Sequence, residues 1–152
     1  MRSVFLRVVP AVIVALAITV FRVADVAAAD ISPDLIAMGD KQWLAGNLDD
    51  AQKDFEQALR VDPGSVGAHM KLGGLQLSRN DFGGSIQTYQ RVIGLDPKNV
   101  KAWIGLGISY MHTGRHELSG AAFEEAVRIE PSREEQLAPV MARLNTPGRQ
   151  LK

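Results

Sequence analysis

Two histidines four residues apart, His112 and His116, have the spacing that sets two imidazoles on one helix face for a metal ion such as zinc. Gly114 stands between them at a turn signal, so they fall on different elements, and no third ligand is near in the chain. Gly105-x-Gly107 and the pairs Gly73-Gly74 and Gly83-Gly84 are short of a phosphate-cradling loop: no strand pattern precedes them and no Lys-Ser or Lys-Thr follows. Asp49-Asp50 and Glu124-Glu125 are adjacent carboxylates. Neighbours in a helix point in different directions and do not converge on one substrate atom, as a general acid and base must. No serine, histidine and acid can be arranged as a nucleophilic set from their spacing. Catalytic, cofactor-binding and metal residues are therefore all expected to be none.

The elements that carry these residues repeat. Asp62-Pro63, Asp96-Pro97 and Glu130-Pro131 close three segments of 34 residues, and the same residue types recur at the same phases. They are Met38/Leu72/Leu106, Gly39/Gly73/Gly107, Phe55/Tyr89/Phe123, Ala58/Val92/Ala126 and Leu59/Ile93/Val127. Three-and-four spacing at Leu35, Met38 and Gln42, or Trp103, Leu106 and Tyr110, predicts a first helix in each unit. A second stripe at Leu48, Ala51, Phe55, Ala58 and Leu59 predicts another, with Gly46, Asn80 and Gly114 as the turn residues between them. Glycine inside a helix costs about 1 kcal/mol against alanine, so Gly39, Gly73 and Gly107 imply close helix contact. Asn47 and Asp81 are expected to cap the second helices, while Arg115 leaves the third without an obvious cap.

On these residues the chain resembles the tetratricopeptide repeat family. The pattern Trp-x2-Leu-Gly-x2-Tyr, then small, aromatic, alanine and proline, is met in the third unit by Trp103, Leu106, Gly107, Tyr110, Phe123, Ala126 and Pro131. Unit one departs at Leu35 and Gln42, and unit two at His69, Gln76, Ser85 and Val92. The resemblance implies an all-α fold, a right-handed helical-hairpin solenoid of three tetratricopeptide-like repeats, 32–65, 66–99 and 100–133, plus a C-terminal capping helix. It also implies a concave groove lined by the first helices. The positions carried over are Pro33, Ile36, Asp40, Trp43 and Leu44; Gly67, Met70, Gly74, Leu77 and Ser78; and Lys101, Ile104, Ile108, Met111 and His112. Ile36, Asp40, Trp43, Met70, Leu77, Lys101, Ile104, Ile108, Met111 and His112 form the expected partner-binding set. Family members that grip a C-terminal carboxylate use asparagines and lysines there. With Asp40, Gly74 and Ile108 at the asparagine positions and Lys101 the only cation in the set, an apolar segment or amphipathic helix fits this trough better.

At 152 residues and 46% apolar, one modest domain is expected. Arg2 and Arg7 precede an apolar run, Val8 to Phe21, followed by Ala27-Ala28-Ala29. This reads as a secretory signal over residues 1–29, with an uncleaved membrane anchor as the alternative. Without residues 1–29 the chain holds 14 basic and 16 acidic side chains, a balance with no drive toward nucleic acid. The absence of cysteine removes disulfides and thiolate metal sites. Ser132 and Glu135 suggest a capping box ahead of Leu137, Val140, Met141 and Leu144, a helix over 132–145 that covers unit three. Pro139 implies either a kink or a start near Ala138, and 146–152 is expected to be a frayed tail. The function expected is a periplasmic, non-catalytic adaptor for a partner peptide or helix in envelope assembly. A self-assembling scaffold and a membrane-tethered assembly factor are the alternatives.

Overall fold

The computed structural model describes residues 32–144; the signal expected at 1–29 and the tail at 146–152 lie outside the described residues. Seven α-helices follow one another with no strand among the described residues. They are α1 (32–44), α2 (Leu48–Val61), α3 (Val66–Ser78), α4 (Phe82–Leu95), α5 (Val100–His112), α6 (His116–Ile129) and α7 (Glu134–Leu144), with a 3-10 turn at Pro131–Arg133. Helices pair as hairpins, α1 with α2, α3 with α4 and α5 with α6. Each hairpin turns on a left-handed residue, Gly46, Asn80 or Gly114, at φ 81°, 61° and 73°. No helix of the described residues is long and apolar enough to cross a membrane.

Small residues on the first helices admit aromatic rings from the second. A Cβ on Gly39 would lie 2.4 Å from the Phe55 ring, and one on Gly107 2.7 Å from Phe123. The same device joins units two and three: the Tyr89 ring sits between Gly73 of its own hairpin and Gly105 of the next. Phe55 and Phe123 are fully enclosed, as are Ala51, Ala58, Ala68 and Ala102 on the facing ridges. The glycines' cost in helix propensity is thus offset by aromatic burial worth roughly 2 kcal/mol or more per ring.

Unit two packs through polar contacts as well. Ser85 Oγ lies 2.9 Å from Ser109 Oγ and 3.2 Å from the Gly73 carbonyl, and Ser109 donates to the Gly105 carbonyl at 2.8 Å. Two hydroxyl hydrogens serve three contacts, so at any moment one of the three is made without a hydrogen. Thr88 donates to Gln76 and Gln90 to the Tyr110 hydroxyl. The joint between units one and two differs: Lys71 reaches Asp40 and Arg79 reaches Asp49, each at 2.6 Å. Unit one holds seven acids and three bases and unit two holds two acids and four bases, so these pairs follow the charge imbalance between the units.

The structure corrects four details of the sequence reading. Asn47 makes no cap; its amide donates to Gln42 Oε1 at 2.9 Å, although Asp81 does cap Gly84. Ser132 forms no capping box, since its hydroxyl donates to Glu130. The end helix begins at Glu134, behind a 3-10 turn, and runs through Pro139 to Leu144 without restarting at Ala138. Met38 is 53% exposed where its counterparts Leu72 and Leu106 are 8% and 4%. Those two leucines pack on the preceding unit's second helix, beside Phe55 and Tyr89 respectively, whereas α1 is the first described helix. The end helix does cover unit three, burying Leu137 against Phe123 and Ala126 with Val140, Met141 and Leu144 alongside.

Burial holds the Tyr89 phenol above its ordinary pKa of 10.0. The fold favours the neutral form, so this contribution is fully present below the unfolded pKa and is lost as pH rises through the folded one. Melting temperature should stay level to about pH 9 and fall above about pH 10. Tyr89→Phe should make that alkaline limb shallower while keeping the ring in place; an unchanged slope in pH-resolved thermal melts would assign the limb to other groups.

Candidate functional site

The first helices α1, α3 and α5 bring the expected groove residues to three adjacent elements. Local signals set the starts of α3 and α5. Ser65 accepts from Ala68 N at the start of α3 and Asn99 from Ala102 N at the start of α5. Position four of units two and three is fastened to the turn before it: Trp103 Nε1 donates to the Pro97 carbonyl at 3.0 Å, and His69 Nε2 lies 3.1 Å from the Pro63 carbonyl. That geometry assigns the Nε2–H tautomer, or the cation, to His69. Histidine thereby does the tryptophan's work in unit two, a substitution whose meaning the residue types alone conceal.

Groove residues divide into three groups by what they touch. Trp43 stands edge-on to Phe55 at 6.3 Å, and a Cβ on Gly74 would meet its ring at 3.1 Å, so the indole lies across from α1 to α3. Leu77 and Met111 are half-buried at the same end, and Leu44 is 91% exposed. Ile36 and Met70 lean into the clusters around Ala58 and Ala68, and around Tyr89 and Leu106. Ile104 and Ile108 pack against the Phe123 cluster that α7 completes with Val140, Met141 and Leu144. The end helix therefore shares the third unit's part of the trough, and the open apolar stretch is centred on Trp43, Gly74 and Leu77.

Charge in the groove is sparse. Asp40 is taken by Lys71, which makes that pair a neutral crossbar between α1 and α3. Lys101 is exposed. His112 closes α5 and stacks flat on Phe82 at 4.5 Å, while His116 opens α6, so the two histidines stand on separate helices. The third turn bears an open depression of about 410 Å³ lined by Gly114, Arg115, His116, Glu117 and Leu118. What the arrangement can do chemically is bury apolar surface: the open stretch combines a rigid aromatic, branched aliphatics and a methionine, with no convergent polar group.

A tetratricopeptide repeat family model matches residues 36–100 and again 75–134. Among characterised proteins, the peroxisomal targeting signal receptor of Komagataella phaffii is 32% identical over 93 residues, covering 60% of this chain and 16% of the receptor. Superkiller protein 3 of Saccharomyces cerevisiae is 34% identical over 61 residues, 40% of this chain and 4% of that protein. The chain thus spans a small part of the length of these relatives. Among solved structures, the Arabidopsis OM64 TPR domain superposes with a TM-score of 0.71 at 19% identity, covering 76% of this chain and 95% of that one. The second TPR domain of human RPAP3, in complex with an HSP70 peptide, gives 0.72 at 14% identity, with 78% and 98% covered. MamA of Desulfovibrio magneticus gives 0.69 at 21% identity, with 75% and 64% covered. With the family match spanning most of the described residues, and the glycine-aromatic hairpins found at its repeat phases, the chain belongs to the tetratricopeptide repeat family.

Proposed function

We propose that this protein is an exported, non-catalytic adaptor that docks an apolar segment of a partner protein across Trp43, Gly74 and Leu77. The observation that carries this reading is the open apolar stretch itself, left between the Asp40–Lys71 crossbar and the part of the trough that α7 shares. Related repeats support it: the Komagataella phaffii protein is named a receptor for a peroxisomal targeting signal, and the RPAP3 domain is seen in complex with an HSP70 peptide. Affinity comes from apolar burial at the centre, with Lys101 at the rim contributing to orientation. The basic start, the apolar run Val8 to Phe21 and Ala27-Ala28-Ala29 support export, and with it the reading of a bacterial periplasmic adaptor in envelope complex assembly.

Site-specific photo-crosslinking in intact cells, with a reactive residue at Leu77, should capture a discrete partner. In a binding assay with that partner, Leu77→Glu should weaken affinity at least about tenfold, near 1.4 kcal/mol, with helix content intact. Asp54→Lys on the second helix should leave affinity unchanged. Equal binding by all three chains would exclude the trough. The mature N-terminus, sequenced from the envelope fraction, separates cleavage after Ala28 or Ala29 from a retained anchor. A second reading, end-to-end self-assembly, is favoured by exposed Leu44 and Met38; a concentration-independent monomer mass would exclude it.

A further inference from the structure

Three departures from the repeat meet at one point of the groove floor. Across the joint between α1 and α3, the ninth position of unit one and the sixth of unit two are Asp40 and Lys71, closed by their 2.6 Å ion pair. The same two positions between α3 and α5 are Gly74 and Gly105, and neither supplies a side chain to bridge the helices. Against both glycines lies Tyr89, whose counterparts Phe55 and Phe123 carry no hydroxyl. A Cβ on Gly74 would stand 3.1 Å from Trp43 Cη2 and 3.8 Å from the Tyr89 hydroxyl, and one on Gly105 2.3 Å from Tyr89 Cζ. The phenol therefore ends at the gap between the two helices, beside the edge of the indole.

Tyr89 is only 5% exposed, yet its hydroxyl has no hydrogen-bond partner among the described residues. Burial is what raises its pKa. By contrast, Ser85, Thr88, Ser109 and Ser119 bond within the protein, and the Tyr110 hydroxyl accepts from Gln90 at 3.0 Å. An enclosed hydroxyl without a partner is disfavoured, and phenylalanine fills the same place in units one and three, so packing has no use for the oxygen. We infer that the Tyr89 hydroxyl donates, through the gap between Gly74 and Gly105, to a main-chain carbonyl of the docked segment, and that this segment binds in an extended conformation. A helix spends its interior carbonyls on its own ladder, whereas an extended chain presents them to its surroundings. A floor of two glycines admits a backbone at close approach. Trp43 then packs an apolar side chain of the segment next to that carbonyl. The contact rests on the groove reading and adds to it the conformation of the occupant and the residue that fixes its register.

The probe is a short peptide selected from a random library on the purified protein, and rejected if the Leu77→Glu chain also retains it. Tyr89→Phe should weaken its binding about five- to tenfold, the effect of losing one neutral hydrogen bond. Thermal melting at neutral pH checks that this variant is folded. Tyr110→Phe, which removes a hydroxyl already held by Gln90, should leave affinity unchanged. Replacing the peptide's amide bonds one at a time by esters, whose carbonyls accept weakly, locates the contact. One ester should weaken binding to the wild-type chain at least about threefold while leaving binding to Tyr89→Phe as it was. Equal affinity of the wild-type and Tyr89→Phe chains, no ester whose effect depends on Tyr89, or a bound peptide that is helical by nuclear magnetic resonance would each overturn the inference and leave the groove reading standing. A library that yields only peptides retained equally by Leu77→Glu overturns both.

Discussion

Phe123→Ala is expected to lower the melting temperature by more than about 12 °C. The ring is 1% exposed and lies where three helices meet, under Gly107 of α5, beside Ala126 of α6 and against Leu137 of α7. Truncating an enclosed phenylalanine costs about 3 to 5 kcal/mol in lost transfer energy and residual cavity. A domain of this size has about 5 to 15 kcal/mol in all, and each kcal/mol is worth about 4 to 8 °C. Because α7 rests on the same cluster, its residues should gain hydrogen-exchange rate before those of α3 and α4. Uniform acceleration along the chain, or a shift of only a few degrees in calorimetry, would show that the cap is held by something other than this ring.

Gly105→Ala should destabilise where helix propensity says the reverse. Propensity alone gives about 1 kcal/mol of gain for this change. The new Cβ, however, would stand 2.3 Å from Tyr89 Cζ and 2.5 Å from its Cε2, and the ring is itself held from the other side by Gly73. Overpacking of this kind costs about 1 to 3 kcal/mol and more when neighbours cannot move. Urea unfolding should show a net loss of at least about 1 kcal/mol, recovered in part by adding Tyr89→Leu. Gly94→Ala and Gly120→Ala, which meet nothing within 4 Å, should instead be neutral or stabilising. Stabilisation by Gly105→Ala would mean that Tyr89 is not clamped between units two and three.

These glycines show why so much of the fold could be read in advance. Gly39, Gly73 and Gly107 recur at one phase with an aromatic at another, and packing of small against large is a property of residue type and spacing alone. Choices among equivalent polar partners are not. Asn47 and Asp81 have nearly the same backbone, φ −83°, ψ 68° and φ −80°, ψ 71°, yet only Asp81 caps, because Gln42 offers the Asn47 amide another acceptor. Ser132 is likewise drawn to Glu130. Pro139 was legible as a conflict but not in its outcome, since contacts of Leu137, Val140 and Met141 with unit three hold α7 through the missing backbone donor. For the candidate site, residue types showed an apolar trough. They could not show that α7 shares Ile104 and Ile108, or that Lys71 neutralises Asp40, as both depend on elements distant in the chain.

The two joints of the stack share an apolar core but differ in their polar contacts, which gives them an uneven response to salt. Lys71–Asp40 and Arg79–Asp49 are partly exposed, so added salt weakens their attraction. The joint between α4 and α5, built from enclosed serine hydroxyls and a ring held by two glycines, has no such dependence. Ionic strength thus acts as a selective lubricant on the polar contacts between the first two hairpins, where Trp43 crosses to Gly74, while the apolar contacts there and the joint between α4 and α5 hold.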